Sequence, residues 1–229
     1  VGRGLVIANR SAADQRRNEL VATEPAISLL YDSTPELLAR QDLIIGALPE
    51  SDRPSFRLAL RTLGYTDRDA PPTNYAVPSP DGIRPSLVVN WGIGRPVRAT
   101  LQRYNRMWAE RIAVVTLVQA LAMAAVDASE ELDQASLGAE IFLDKASVTE
   151  VVARLVRQGL MTKSRDRADA RRRLLQLSRK GRRVLDLVRA EVHGLDAAFL
   201  SPLEDHERVA FLENVQLVVE SDPALAGTP

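Results

Sequence analysis

The residues best suited to binding chemistry form a dense basic run between Lys145 and Arg183. Thirteen Lys and Arg residues lie there against three acidic ones, so this stretch carries a net charge of +10. Guanidinium and ammonium groups at this density are suited to binding phosphates. The following stretch, residues 184–222, carries a net charge of −7. The zero net charge of the 229-residue chain is therefore a cancellation, and it is compatible with a polyanionic partner.

The residue types that other chemistries need are scarce. The chain has no cysteine, which excludes disulfides, thiol catalysis and Cys-type zinc sites. His193 and His206 lie among acidic residues, where hydrogen bonding is a more common role than metal binding or catalysis. No Ser/His/Asp arrangement, phosphate loop or long uncharged apolar run occurs. We predict a cytoplasmic protein that is not an enzyme and has no metal, no cofactor and no membrane association.

A helix, a turn and a second helix are predicted at the start of the basic run. Residues 134–141 place Leu137 and Ile141 four apart, as on one face of a short helix. Asp144 is a suitable N-cap for the next helix, which extends to residue 158 and ends at Gly159. The spacing therefore predicts a helix-turn-helix.

A basic hairpin is predicted directly after this second helix. Residues 160–164 and 173–177 read as two short strands around a charged loop. Ser178 is placed to cap a long helix that begins near Arg179. The elements thus follow the order helix, turn, helix, ribbon and long helix.

This layout matches the requirements for binding double-stranded DNA. Side chains at the first turn of a helix that enters the major groove reach base edges, and we assign Lys145, Ser147 and Thr149 to that role. Arginines at the tip of a hairpin reach the minor groove, and basic side chains on the flanks bind phosphates. We assign Arg171 and Arg172 to the minor groove, and Arg154, Arg157, Lys163 and Arg173 to the phosphates. Arg165 and Arg167 are further predicted DNA contacts.

The same segment resembles the MarR (multiple antibiotic resistance regulator) family of winged helix-turn-helix proteins. The resemblance covers roughly residues 94–222, and the matching positions are residues 132–137, 143–149, 155, 159–160, 166–178 and 181. It implies a mainly α fold with small β wings and long interlocking dimerisation helices. It also implies a dimer on a pseudo-palindromic operator, which a small aromatic effector often releases.

The resemblance assigns further roles, and the sequence departs from the family pattern at two positions. Asp169 is implied to orient Arg171 at the tip of the wing. Ala170 stands where the family usually has an arginine, which would weaken the wing's affinity for DNA. Glu150 adds a negative charge to the recognition helix. It either accepts a hydrogen bond from a cytosine amine or restrains Arg154 four residues later.

A repeat becomes visible when the chain is compared with itself at an offset of 155 residues. Gly4 then falls on Gly159, and Arg16 and Arg17 fall on the wing arginines. Identities are about one in five over 65 positions, and they coincide with the motif positions; the alternative is a chance alignment. Further matched pairs include Leu5 and Leu160, Arg10 and Arg165, Asp14 and Asp169, Leu20 and Leu175, Arg53 and Arg208, and Phe56 and Phe211.

This repeat predicts a tandem fusion of two copies. Residues 1–65 would be the wing and C-terminal helices of a first copy, in which Arg10, Arg16 and Arg17 also contact DNA. Residues 66–93 would be a Pro-rich linker, 94–222 the complete second copy and 223–229 a tail. By the layout of the second copy, about 60 or more residues are expected before Val1. The partner for self-association is then either the other copy within the chain or a second chain.

The aromatic residues of the predicted helical segment 96–125 are the candidates for ligand binding. Tyr104 and Trp108 share one stripe, and Met123 lies further along the chain. Core and dimer packing is the more common role for such a stripe. In the resembled family, however, the effector site lies between the dimerisation helices and the DNA-binding lobe. We therefore predict a sequence-specific DNA-binding transcriptional repressor that a small-molecule effector releases. The alternative is a winged-helix scaffold for protein interaction or dimerisation that does not bind DNA.

Overall fold

The computed structural model describes residues 4–10, 16–66, 78–79, 82–83, 93–129, 131–165 and 173–221. The chain divides into two compact units, one of residues 1–46 and 69–95, the other of residues 47–68 and 96–229. The helices are α1 (Glu24–Ile44), α2 (Arg53–Gly64), α3 (Gly94–Arg111), α4 (Leu117–Ala128), α5 (Gln134–Glu140), α6 (Lys145–Arg157), α7 (Arg179–Leu200) and α8 (Asp205–Ser221). The strands are β1 (Val6–Arg10), β2 (Asn18–Ala22), β3 (Pro78–Ser79), β4 (Gly82–Ile83), β5 (Met161–Arg165) and β6 (Arg173–Leu177).

In the described part of the chain, the strands form three separate antiparallel hairpins, and most of the other residues are helical. β1 pairs with β2, β3 with β4 and β5 with β6. The prediction of a mainly α fold with small β wings is therefore confirmed. Within the described ranges, no helix has the length and apolar character needed to cross a membrane.

The core of the second unit lies beneath the helix-turn-helix and its hairpin. Apolar residues at helical spacing on α6 (Val148, Val152 and Leu155) are buried against α4 and α5. Leu175 and Leu177 of β6 are buried in the same core. Both lie on one face of the hairpin, because alternate residues of a strand point to the same side. This shared burial fixes α6, the predicted recognition helix, and the β5–β6 hairpin on one support.

Polar caps set the starts of the helices in this unit. Asp133 caps α5, Asp144 caps α6 and Ser178 caps α7, each by accepting a backbone N–H from the first turn. Thr116 and Gln119 form a capping box at the start of α4. The predicted caps at Asp144 and Ser178 are thus present.

Two glycines allow the chain to pass from the recognition helix into the hairpin and the long helix. Gly159 ends α6 with a φ of 68°, a left-handed conformation that side chains disfavour. Gly181, in the first turn of α7, packs so closely that a Cβ there would collide with the carbonyl oxygen of Leu160. Both positions lie at the base of the hairpin, so they set the direction in which it projects.

The first unit contains the β1–β2 hairpin and α1, with the smaller β3–β4 hairpin in the Pro-rich segment. Gly4 precedes β1 with a φ of 66°, and the hydroxyl of Thr23 donates to its carbonyl at 2.8 Å. Most of the predicted linker, including the segment 84–92, lies outside the described residues. The predicted helical stretch 96–125 is two helices, because residues 112–116 form the connection between α3 and α4.

Candidate nucleic-acid interface

The turn between α5 and α6 is tight, because Gly138 of α5 has no side chain and Phe142 takes a left-handed backbone conformation. A Cβ at Gly138 would lie 3.1 Å from both the Leu143 carbonyl oxygen and a methyl carbon of Val148, so glycine lets the two helices approach closely. Phe142 takes a positive φ of 54° in the turn. The turn thereby directs the first residues of α6 outward, where Lys145 and Thr149 are exposed.

The first turn of α6 is organised by Asp144. One carboxylate oxygen accepts the backbone N–H groups of Ala146 and Ser147, both at 2.9 Å. The other accepts the hydroxyl of Ser147 at 2.7 Å. The hydrogen bond from the Ser147 N–H, followed by that from its hydroxyl, lowers the pKa of Asp144. The Ser147 side chain therefore belongs to the cap, and only its oxygen lone pairs are left to face a groove.

A chain of hydrogen bonds connects the hairpin to the recognition helix through Gln134. The ammonium of Lys163 donates to Gln134 Oε1 at 3.1 Å, and Gln134 Nε2 donates to the hydroxyl oxygen of Thr149 at 2.7 Å. The Thr149 hydroxyl in turn donates to the Lys145 carbonyl at 2.7 Å. The hydroxyl proton of Thr149 is thus already used, and its methyl group is left as the contact for a neighbouring surface.

Arg154 and Glu150 form an ion pair on the exposed side of α6. The guanidinium lies 2.8 Å from the carboxylate, at i and i+4, and both side chains are about half exposed or more. Of the two roles open to Glu150 on sequence grounds, the restraint of Arg154 is the one seen in this conformation. Arg157, one turn later, is exposed.

Two arginines face each other across the outer end of the hairpin. Arg165 and Arg173 are direct cross-strand partners in the β5–β6 register, and both are exposed. Directly opposite like charges destabilise a strand pair. The end of the hairpin therefore concentrates positive charge at a cost in folding stability.

The remaining predicted DNA contacts lie elsewhere. Arg167, Asp169, Arg171 and Arg172 fall in the loop between β5 and β6, outside the described residues. Arg10, Arg16 and Arg17 are exposed on the β1–β2 hairpin of the first unit. The structure thus places eight of the predicted residues on α6 and the two wing strands: Lys145, Ser147, Thr149, Arg154, Arg157, Lys163, Arg165 and Arg173.

A cavity of about 460 Å³ lies between α3, the start of α4 and the second half of α6. Trp108 lines it from α3, and the indole N–H donates to the Val115 carbonyl at 2.8 Å. Arg154 and Gln158 line it from α6, and Gln158 accepts a hydrogen bond from buried Gln119 at 3.3 Å. The cavity therefore touches the recognition helix directly.

The other two predicted ligand residues do not line this cavity. The Tyr104 hydroxyl donates to Asp196 at 2.8 Å, and its ring packs edge-on against Phe199. Burial raises the pKa of Tyr104, and the hydrogen bond to Asp196 raises it further. Met123 is fully buried in the core. Of the three candidates, Trp108 is the one at the cavity.

Sequence reasoning missed the residues that link these parts. Gln134 and Gln158 carry no motif of their own, and Gln119 is recognisable only as part of the α4 capping box. The hydrogen bonds that link these glutamines to other elements span 15 to 39 residues. The proximity of Arg154 to the cavity was missed for the same reason. A polar residue at a helix start beside a basic hairpin was the available signal for Gln134.

Comparisons with known proteins agree with this geometry. The model of the MarR family matches residues 115–172. The transcriptional regulator HosA of Escherichia coli is 26% identical over 125 residues, which is 55% of this chain and 93% of HosA.

Two solved structures cover the same region. The PcaV transcriptional regulator of Streptomyces coelicolor, solved with its natural ligand, is 31% identical with a TM-score of 0.53, over 57% of this chain and 93% of PcaV. A probable transcriptional regulator from Pseudomonas aeruginosa is 30% identical with a TM-score of 0.53, over 55% of this chain and 95% of its own. From its winged helix-turn-helix and these relatives, the chain belongs to the MarR family of transcriptional regulators.

Proposed function

We propose that this protein is a sequence-specific DNA-binding repressor of the cytoplasm that a small molecule releases from a pseudo-palindromic operator. The exposed first turn of α6 would enter the major groove, and the β5–β6 hairpin would reach the adjacent minor groove and its phosphates. The observation that carries the proposal is the apposition of Arg165 and Arg173 at the end of the hairpin.

The apposition of these two arginines is unfavourable for the folded hairpin. Two guanidinium groups directly across a strand pair repel each other, and a neutral residue at either position would remove that repulsion. A polyanion between or beside them converts the cost into two charge-assisted contacts. A hairpin that served only to pack the fold would gain nothing from this arrangement.

The recognition helix offers different groups to bases and to phosphates. Lys145 is exposed at the first turn, where an ammonium can donate to guanine acceptors. Because the Thr149 hydroxyl is bonded to Gln134 and to the Lys145 carbonyl, its methyl is the free group, and it suits a thymine methyl. Arg157 and Lys163 flank these residues at positions suited to phosphates.

The cavity beside Trp108 supports the release by a small molecule. Its volume of about 460 Å³ lies within the range of small-molecule sites. Its lining is largely apolar, and its polar residues are Asn105, Thr116, Gln119, Arg154 and Gln158. An aromatic carboxylate would pack against this apolar lining, at the edge of the buried indole, and compete with Glu150 for Arg154. Because Arg154 and Gln158 lie at the end of the recognition helix, binding there would change the position of α6.

The DNA-binding proposal is tested by selecting bound fragments from a random duplex library and titrating the selected duplex at several salt concentrations. We expect an enriched sequence with two related half-sites, and an affinity that falls steeply as salt rises. Absence of any salt-dependent binding would favour the alternative, a winged-helix scaffold for protein interaction.

The effector proposal is tested by Trp108 fluorescence during titration with a panel of benzoates and hydroxybenzoates. A ligand that quenches the emission should also release the selected duplex, and Arg154→Gln should weaken binding of the ligand. Trp91 is the other tryptophan, so the Trp91→Phe variant isolates the signal. Quenching without any change in DNA affinity would contradict release by this route.

A further inference from the structure

The described elements repeat along the chain at a fixed offset of 155 residues. Shifted by this offset, β1 coincides with β5 and β2 with β6, residue for residue. After the shift, α1 begins at the first residue of α7 and ends one residue before the end of α7. The shifted α2 lies within α8. One offset thus relates four consecutive elements, although identities cover only about one position in five.

The hairpins also share their register. Val6 pairs with Ala22 in the first hairpin, and the matched positions Met161 and Leu177 pair in the second. All five pairs of β1–β2 map onto the five pairs of β5–β6. Because a slip of one residue would turn every side chain to the opposite face, a common register is a demanding match.

Specific contacts at the base of each hairpin are repeated as well. Gly4 and Gly159 have φ angles of 66° and 68°. The hydroxyl of Thr23 donates to the Gly4 carbonyl at 2.8 Å, and that of Ser178 donates to the Gly159 carbonyl at 2.7 Å. The same left-handed glycine, bridged by the same kind of hydroxyl 19 residues later, therefore closes both hairpins.

The start of the last helix carries a third matched feature. Arg53 Nε donates to the Leu48 carbonyl at 3.1 Å, and Arg208 Nε donates to the Leu203 carbonyl at 2.8 Å. Both leucines are buried. The shared sequence spacing, register, backbone conformation and arginine contact point to a duplicated segment.

The last helices of the two copies pack against each other through equivalent residues. The rings of Phe56 and Phe211 stack with centroids 5.6 Å apart and planes inclined by 22°. A cavity of about 300 Å³ beside them is lined by further matched pairs, Ser55 with Ala210 and Ala59 with Asn214. A contact in which each residue meets its own counterpart is the mark of a self-complementary, twofold interface.

We propose that residues 4–64 and 159–219 are two copies of one hairpin–helix–helix module, and that α2 and α8 form its self-association interface within a single chain. The partner that this surface fits is therefore the other copy of the module. A separate chain of the same protein would find this face of α8 already covered by α2.

The absence of cysteine from the chain makes a direct test possible. Ser55 and Ala210 are exposed residues beside the stacked rings, so Ser55→Cys and Ala210→Cys should be tolerated. The variant with both substitutions is treated with a short bismaleimide and digested, and the linked peptides are identified by mass spectrometry. The two single variants are also mixed in equal amounts, unfolded and refolded together, and treated in the same way.

We expect the double variant to be linked within one chain, at the mass of one chain plus one linker, and the mixture to give no linked pair of chains. A control with Ser55→Cys and Glu220→Cys should not be linked, because Glu220 lies about 15 Å further along α8 than Ala210. A linked pair of different chains in the mixture would overturn the pairing within one chain. No link at all in the double variant would overturn the contact between α2 and α8. DNA binding enters neither readout, so the result is independent of the proposed function.

Discussion

The opposed arginines at the end of the β5–β6 hairpin predict that DNA affinity and folding stability change in different directions. Replacing Arg165 or Arg173 with alanine removes one positive charge and also removes the repulsion between the two. Cross-strand pairs are worth about 0.2–1 kcal/mol, so each single variant should be as stable as the wild type or slightly more stable. In a domain of this size that corresponds to a rise in Tm of at most about 2–4 °C.

The loss in DNA binding can be estimated from counterion release. Each phosphate contact contributes about 0.9 to the slope of log affinity against log salt. As salt rises from 50 to 200 mM, the ratio of wild-type affinity to variant affinity should fall about 3.5-fold for each lost phosphate contact. For the double variant this becomes about 12-fold, with a slope lower by about 1.8.

The assay is a fluorescence anisotropy titration of the selected duplex at four salt concentrations, together with thermal unfolding of each variant. Arg98→Ala is the matched control, because Arg98 is an exposed arginine on α3, away from the hairpin in sequence, and its removal changes the net charge equally. The control should keep the wild-type slope. An unchanged slope for Arg165→Ala and Arg173→Ala, or a Tm lowered by several degrees, would contradict the DNA-binding role of the hairpin.

Three further predictions concern stability. Phe56→Ala and Phe211→Ala should each lower the free energy of unfolding, measured in urea, by up to about 3–5 kcal/mol. The double variant should lose about 0.5–1.5 kcal/mol less than the sum of the two, because both substitutions remove the same stacked pair, and full additivity would argue against the stack. Gly181→Ala should lower the free energy of unfolding by about 1–3 kcal/mol, because the added Cβ collides with the Leu160 carbonyl oxygen. Ala26→Gly at the matched position should lower it by only about 0.5–1 kcal/mol, and equal losses would contradict the predicted collision. Tyr104→Phe should cost about 1–2 kcal/mol at pH 7 through the lost bond to Asp196. Because the folded pKa of Tyr104 is raised above its ordinary value of 10.0, that difference should be constant below about pH 10 and shrink above it, and a difference that grows with pH would contradict the assignment.

Sequence reasoning predicted the parts of the fold that local chemistry determines. Asp144 and Gly159 bounded α6 because a cap and a left-handed glycine leave recognisable signatures. Ser178 marked the start of α7 for the same reason. The β1–β2 hairpin lies in residues 1–65, where the repeat predicted a wing.

The parts that depend on distant side chains could not be predicted. The bridge from Lys163 through Gln134 to Thr149 depends on how the hairpin folds back over α5, and no local pattern records that distance. Tyr104 and Trp108 share a helical stripe, yet Tyr104 turns to Asp196 and Trp108 to the cavity. The stripe correctly placed both rings on one helix. The contacts of each ring depend on α7 and on the connection 112–116, which the stripe does not describe.

The cross-strand pair at the outer end carries a different charge in the two hairpins. Arg165 faces Arg173 in the second hairpin, whereas the matched Arg10 faces Asn18 in the first. Two identical chains on a symmetric site are indistinguishable when the DNA is reversed. A single chain with two unlike wings would instead bind its site in one preferred orientation. It would then distinguish the two directions in which an operator can lie relative to its promoter.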